Sequence, residues 1–115
     1  MTEADLKSLL KPLVNGQAYP HVVKLTAEGH PAVKPPWIVY SLPSEDIAYV
    51  FCGPAETAIT IQIDVYADTV DEATVIRNLA MEAVKPLAPS EMRTFKDYEP
   101  ETALYRASFE FRVWR

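Results

Sequence analysis

The chain has 115 residues, of which 49% are hydrophobic and 23% charged, and its formal net charge is −5 at pH 7. These values fit one domain of an ordinary globular protein and exclude a disordered tail or a fibrous repeat. The acidic balance argues against a general nucleic-acid binder, which needs clustered Lys and Arg to neutralise phosphate.

In chain order, Thr2 is placed to cap a first helix whose apolar positions, Leu6, Leu9, Leu10, Leu13 and Val14, recur at helical spacing. Pro12 is awkward in that pattern and predicts a kink or an early end, and Asn15-Gly16 supplies a stop signal. Ala18 to Val23 reads as a short strand or an extended arm. Thr26 to Pro36 carries Gly29, Pro31, Pro35 and Pro36, so an irregular, mobile loop is expected over about residues 24–36. Trp37 to Leu42 reads as a strand, Pro43 to Asp46 as a turn, and Ile47 to Cys52 as a second apolar strand ended by Gly53-Pro54.

The clearest unit follows. From Thr57 to Ala67 the odd positions Ile59, Ile61, Ile63, Val65 and Ala67 are apolar, whereas Thr60, Gln62, Asp64 and Tyr66 can face water. That period of two predicts a half-buried strand. Thr69-Val-Asp-Glu72 fits a capping box opening a helix over about 70–84, with Ala73, Ile76, Ala80, Ala83 and Leu87 on its inner face. Pro86 and Pro89 bracket its exit. Met92 to Tyr98 reads as a strand and Asp97 to Glu101 as a turn. The last segment alternates Tyr105, Ala107, Phe109, Phe111 and Val113 against Arg106, Ser108, Glu110, Arg112 and Trp114. The order predicts an α+β fold: a mainly antiparallel sheet of four to five strands, with two helices packed on one face of a single domain spanning 1–115.

Chemistry is sparse. Cys52 is the only cysteine, which excludes an intramolecular disulfide and a CxxC metal site. Its neighbours Tyr49, Val50 and Phe51 give it the setting of a small buried hydrophobe. His21 and His30 stand without ligand spacing, and no GxSxG elbow or glycine-rich phosphate loop occurs. Asp64, Asp68, Asp71 and Glu72 could gather a hard cation, but the last three each have a local task at a helix N-terminus. The reading is therefore a non-enzyme without catalytic, cofactor or metal residues. No apolar run approaches the ~18 residues of a membrane span, and no signal-peptide core opens the chain, so a cytosolic site of synthesis is expected.

The polar strand face remains. Gln62, Asp64, Tyr66, Arg106, Arg112 and Trp114 combine aromatic and arginine residues in the manner of a protein interface, with Asp64 placed to pair with an arginine across strands. A plain wetted sheet face is the alternative.

Pro36-Trp-Ile-Val-Tyr40, then Ile61-Gln-Ile-Asp-Val-Tyr-Ala67 running into Asp68-Thr-Val-Asp-Glu-Ala73, resemble the paired motifs of tail completion proteins of long-tailed phages. The leucine helix, Ala18-Tyr-Pro20 and the ending Leu104-Tyr-Arg-Ala-Ser-Phe-Glu-Phe111 are similar to that family's opening and last strand. Thr26 to Pro36 departs from it as a longer, proline-rich connection. The resemblance implies a tail terminator, or tail-to-head joining protein, of a phage or prophage. Such a subunit closes the tail tube as a homo-oligomeric ring, commonly of six copies. Its implied partners are the tail tube protein and the head connector, with DNA only as passing cargo and no membrane. Its implied place is the virion tail, after assembly in the host bacterial cytoplasm. The rival readings are a small α+β ligand-binding or regulatory domain, and an enzyme using Asp64 and Asp68 with a divalent cation.

Overall fold

The computed structural model describes residues 3–50 and 53–114, with the backbone alone for residues 3, 44, 46, 48–50 and 53–56. The predicted cap Thr2 and the lone Cys52 lie outside the described residues. Helix α1 (Glu3–Leu10) ends where Pro12 removes a backbone donor, and the chain tightens into a 3-10 turn, Lys11–Val14. Asn15 (φ 52°) and Gly16 (φ 84°) then take left-handed conformations, and Gly16 N–H closes the turn onto Lys11 O at 2.7 Å. Strands β1 (Ala18–Pro20), β2 (Trp37–Val50) and β3 (Gly53–Ala67) precede helix α2 (Val70–Ala83), and β4 (Ser90–Glu99) and β5 (Leu104–Trp114) follow it.

The five strands form one mixed sheet in the order β1-β2-β3-β5-β4. Only β1 runs parallel to its neighbour, β2; every other pairing is antiparallel. The α+β architecture is the expected one. Both helices contribute to a single core on one face of the sheet. Leu6, Leu10 and Val14 from the first helical segment, with Ile76, Ala80 and Val84 from the second, meet Ile38, Tyr40, Ile61, Ile63, Val65, Phe109 and Phe111. Ile59, Ile61, Ile63, Val65 and Ala67 of β3 are buried as their period requires. On α2, Ala73, Ile76 and Ala80 are buried, Ala83 and Leu87 are half-buried, and Val84 completes the inner face. The Thr69 hydroxyl accepts from Glu72 N–H at 3.1 Å, the first half of the predicted capping box.

Two expectations need correction. Gly53-Pro54 does not stand between two strands but opens β3, which starts ahead of Thr57. Pro43 to Asp46 is not a turn: β2 runs straight through it as one 14-residue strand. Between Ser41 and Ser44 the chain takes three steps against two in β3, so a β-bulge absorbs Leu42 and Pro43, where proline has no amide hydrogen to give the ladder. A second irregularity in the opposite sense, between Ala48 and Tyr49, restores the register. The hairpin therefore runs on past the last pairing with β5, Ala58 opposite Trp114. From Ile47↔Thr57 to Val50↔Gly53, β2 and β3 pair only with each other among the described residues. This two-stranded arm makes the molecule long, 51 × 30 × 24 Å. The radius of gyration is 15.3 Å, against about 13 Å for a compact chain of this length.

Candidate functional site

The face of the sheet turned away from the helices is where the sequence gathered its interface residues. Strand β2 explains why this face is not simply wet. Trp37, Ile38, Val39 and Tyr40 are all buried, so alternate residues are covered on both sides. Ile38 and Tyr40 enter the helix-side core, whereas Trp37 and Val39 form a second cluster with Val23 and Leu104, flanked by Tyr19, Val33 and Tyr66. A continuous apolar run is the mark of a strand buried on both faces. It was the available signal for this cluster.

The cover is the chain between β1 and β2. It folds back on itself, with Thr26 N–H to His30 O at 2.7 Å, Ala32 N–H to Lys24 O at 2.7 Å and a bridge between Leu25 and Pro31. The Gln17 side-chain amide donates to Lys34 O and Pro36 O, each at 2.8 Å, and ties the end of the segment to the sheet.

Beside this cover, one row of side chains crosses four of the five strands, from β4 to β2. Asp97 lies opposite Arg106, Arg106 opposite Tyr66, and Tyr66 opposite Trp37. The Arg106 guanidinium grips Asp97 through two bonds, Nε to Oδ1 at 2.7 Å and Nη2 to Oδ2, beside the Tyr66 side chain opposite it on β3. The Tyr66 ring stacks on Trp37 with centroids 5.5 Å apart. The Arg106 bond holds Asp97 below the usual carboxylate range. Hydrogen bonding to Asp97 raises the Arg106 pKa. Burial raises that of Tyr66.

The expected pairing of Asp64 with an arginine gives way to other partners. Asp64 is buried and accepts from the Gln62 amide at 3.2 and 3.4 Å, while Arg106 is held by Asp97 and Arg112 lies 3.4 Å from Glu91. Register explains it: Asp64 faces Ser108, not an arginine, across the β3–β5 ladder. The six predicted residues thus separate. Gln62 and Asp64 are hydrogen-bonded and share a face with the cross-strand neighbours Tyr66 and Arg106, and Arg112 and Trp114 lie toward the base of the hairpin arm, with Trp114 47% exposed.

A groove of about 460 Å³ opens beside Asp64, Tyr66 and Arg106. Trp37, Val39 and Tyr66 line it from the sheet, with Asp64 and Arg106. The cover contributes His21, Val22 and Leu25, the end of β4 contributes Glu99, and the turn after it contributes Glu101 and Thr102. Sequence reasoning had placed His21, Glu99 and Glu101 only in loops, because nothing local to them signals that the topology brings the two loops together. The space between sheet and helices, where a ligand-binding reading would put its pocket, is filled by the core. Asp68, Asp71 and Glu72 stay at the start of α2, and Asp64 lies among the groove residues; among the described residues no three acids, histidines or cysteines come within reach of a common metal ion.

Comparison with known proteins adds the following. The family model described as "Tail completion protein gp17" matches residues 2–115. No curated protein matches the chain. Among solved structures, a chain of the "Virion of native gene transfer agent (GTA) particle" is similar, with 19% identity and a TM-score of 0.48, covering 99% of this chain and 87% of that one.

Proposed function

The chain belongs to the tail completion protein family, and on that premise we propose that it completes the tail tube and joins it to the head connector as a subunit of a closed ring. It is a structural protein of the phage tail. The observation that carries the proposal is the match of the family model over residues 2–115. The ring takes six copies, and its partners are itself, the tail tube protein and the head connector. The chain assembles in the host cytoplasm and ends in the virion tail, in a phage or a prophage particle. It works as a binding surface and not as an enzyme, without cofactor or metal.

The molecule's shape supports this reading. A ring needs heterologous contacts, in which one patch meets a different patch on the next copy. The sheet face bearing Gln62, Asp64, Tyr66, Arg106, Arg112 and Trp114 serves as one such patch, and the helix layer lies on the opposite side. With a net charge of −5, the subunit repels phosphate, so DNA can pass through the ring without adhering.

Deleting the gene from a producing phage or prophage tests the proposal. Negative-stain electron microscopy of the lysate is expected to show filled heads lying apart from unfinished or irregularly long tails. Intact virions would overturn it.

A further inference from the structure

Building on the reading of the chain as a ring subunit, we propose that the groove beside Tyr66 receives a lysine or arginine side chain of the neighbouring copy. Its charge selects the occupant. Asp64, Glu99 and Glu101 line the groove, and its one arginine, Arg106, is already paired with Asp97. Three carboxylates thus stand in a lining whose other ionisable side chains are His21, Tyr66 and the paired Arg106. Thr102 donates to Glu99 Oε1 at 2.9 Å and so orients that carboxylate.

The rest of the lining fits the same guest. Half-buried Tyr66, backed by Trp37, supplies aromatic surface for the methylene stem of a long cationic side chain, and a ring face attracts the charge at its end. Val22 and Leu25 stand at the rim 56% and 46% exposed, apolar surface that an arriving chain covers. Trp37 is 2% exposed, and its indole N–H is buried with no acceptor among the described residues. That N–H therefore reports on the groove floor from beneath it, without touching the guest. Nucleic acid is excluded by the carboxylates.

The second copy can supply the cation. Lys7 on α1 and Lys11 in the turn after it are exposed and spaced four residues apart. They belong to the helix layer, on the side of the sheet opposite the groove. Groove face against helix layer is a heterologous contact that repeats from copy to copy, as a ring requires.

Two measurements separate this inference from the ring reading beneath it. In the first, N-acetyl-arginine amide is titrated into the 15N-labelled protein, and the indole N–H resonances are followed, with Trp114→Phe to assign Trp37. The Trp37 signal is expected to move with arginine amide, not with N-acetyl-glutamine amide, and to stop moving in Glu99→Gln/Glu101→Gln. No movement at tens of millimolar would overturn the groove. In the second, native mass spectrometry compares ring formation by the wild type and that double variant at matched concentration. At least a tenfold loss of ring, with unchanged melting temperature, supports the neighbouring copy as occupant, and an unaffected ring overturns it. A wild type that forms no ring, alone or on tails, while the Trp37 signal still moves, defeats the ring reading and the assigned occupant but leaves the cation groove standing.

Discussion

Trp37 stacks against Tyr66 across the β2–β3 pair, planes 29° from parallel, and the two rings form the floor on which the proline-rich cover rests. Trp37 is the largest member of a cluster whose other buried members are Val23, Val39 and Leu104. Truncating it removes the platform from under the cover. Trp37→Ala is expected to destabilise the protein by ~3–5 kcal/mol. Trp37→Phe should cost far less, because the ring contact survives and an indole donor without a partner is lost. Urea unfolding of the two variants checks this. Equal losses would mean that the ring is not what supports the cover.

The Arg106–Asp97 pair and Tyr66 set opposite limbs of the pH–stability curve. Asp97 is held below its ordinary value by the Arg106 hydrogen bond. Its contribution is therefore complete above the unfolded value of about 3.9 and is lost as pH falls through the lowered folded value. Because the pair is 30% and 47% exposed, the amount is under about 1 kcal/mol. Tyr66 is raised by burial, so its contribution is complete below about pH 10 and is lost as pH rises through the raised folded value. Unfolding free energies measured from pH 2 to 11 should show Asp97→Asn flattening the acid limb and Tyr66→Phe flattening the alkaline one. Neither substitution should change the slope near neutrality.

Local periodicity carried the parts of the fold that depend on one element alone. The alternation from Ile59 to Ala67, the Thr69 cap and the alternation in β5 each describe a segment whose neighbours merely complete it. Pro43 misled because a proline without an amide hydrogen suits a turn and a bulge equally, and the choice rests with β3 across the ladder. The site was half legible for the same reason. Gln62, Asp64, Tyr66 and Arg106 share a face by strand period, so the sequence could group them. His21 and Glu101 meet only because the β1–β2 connection and the β4–β5 turn close over the same end of the sheet.

The hairpin arm should be dispensable for folding. No described residue from 45 to 57 belongs to the buried core, and the last described pairing of β5 with β3 is Trp114 opposite Ala58. A two-stranded ribbon without a third strand adds little stability in water. Replacing residues 47–57 by Asn-Gly, which favours a tight hairpin turn, is expected to shift the melting temperature by no more than a few degrees. Differential scanning calorimetry decides it. A collapse in melting temperature or in unfolding enthalpy would show that the arm folds back onto the body of the molecule.

Ser108 offers the sharpest test of the polar face. It lies in the middle of β5, between Asp64 on β3 and Phe95 on β4, fully buried. Its hydroxyl has no hydrogen-bond partner among the described residues, although Asp64 stands directly opposite. Asp64 instead takes its hydrogen bonds from Gln62, on its own strand. A buried hydroxyl without a partner opposes folding, because the unfolded chain hydrates it. Ser108→Ala removes that cost and leaves a space no larger than one oxygen atom, so it should be neutral or stabilise the protein by about 1–2 kcal/mol. Equilibrium unfolding in urea measures the difference. A loss of 1 kcal/mol or more would mean that the hydroxyl donates to Asp64 in solution, making Asp64, Gln62 and Ser108 one connected network.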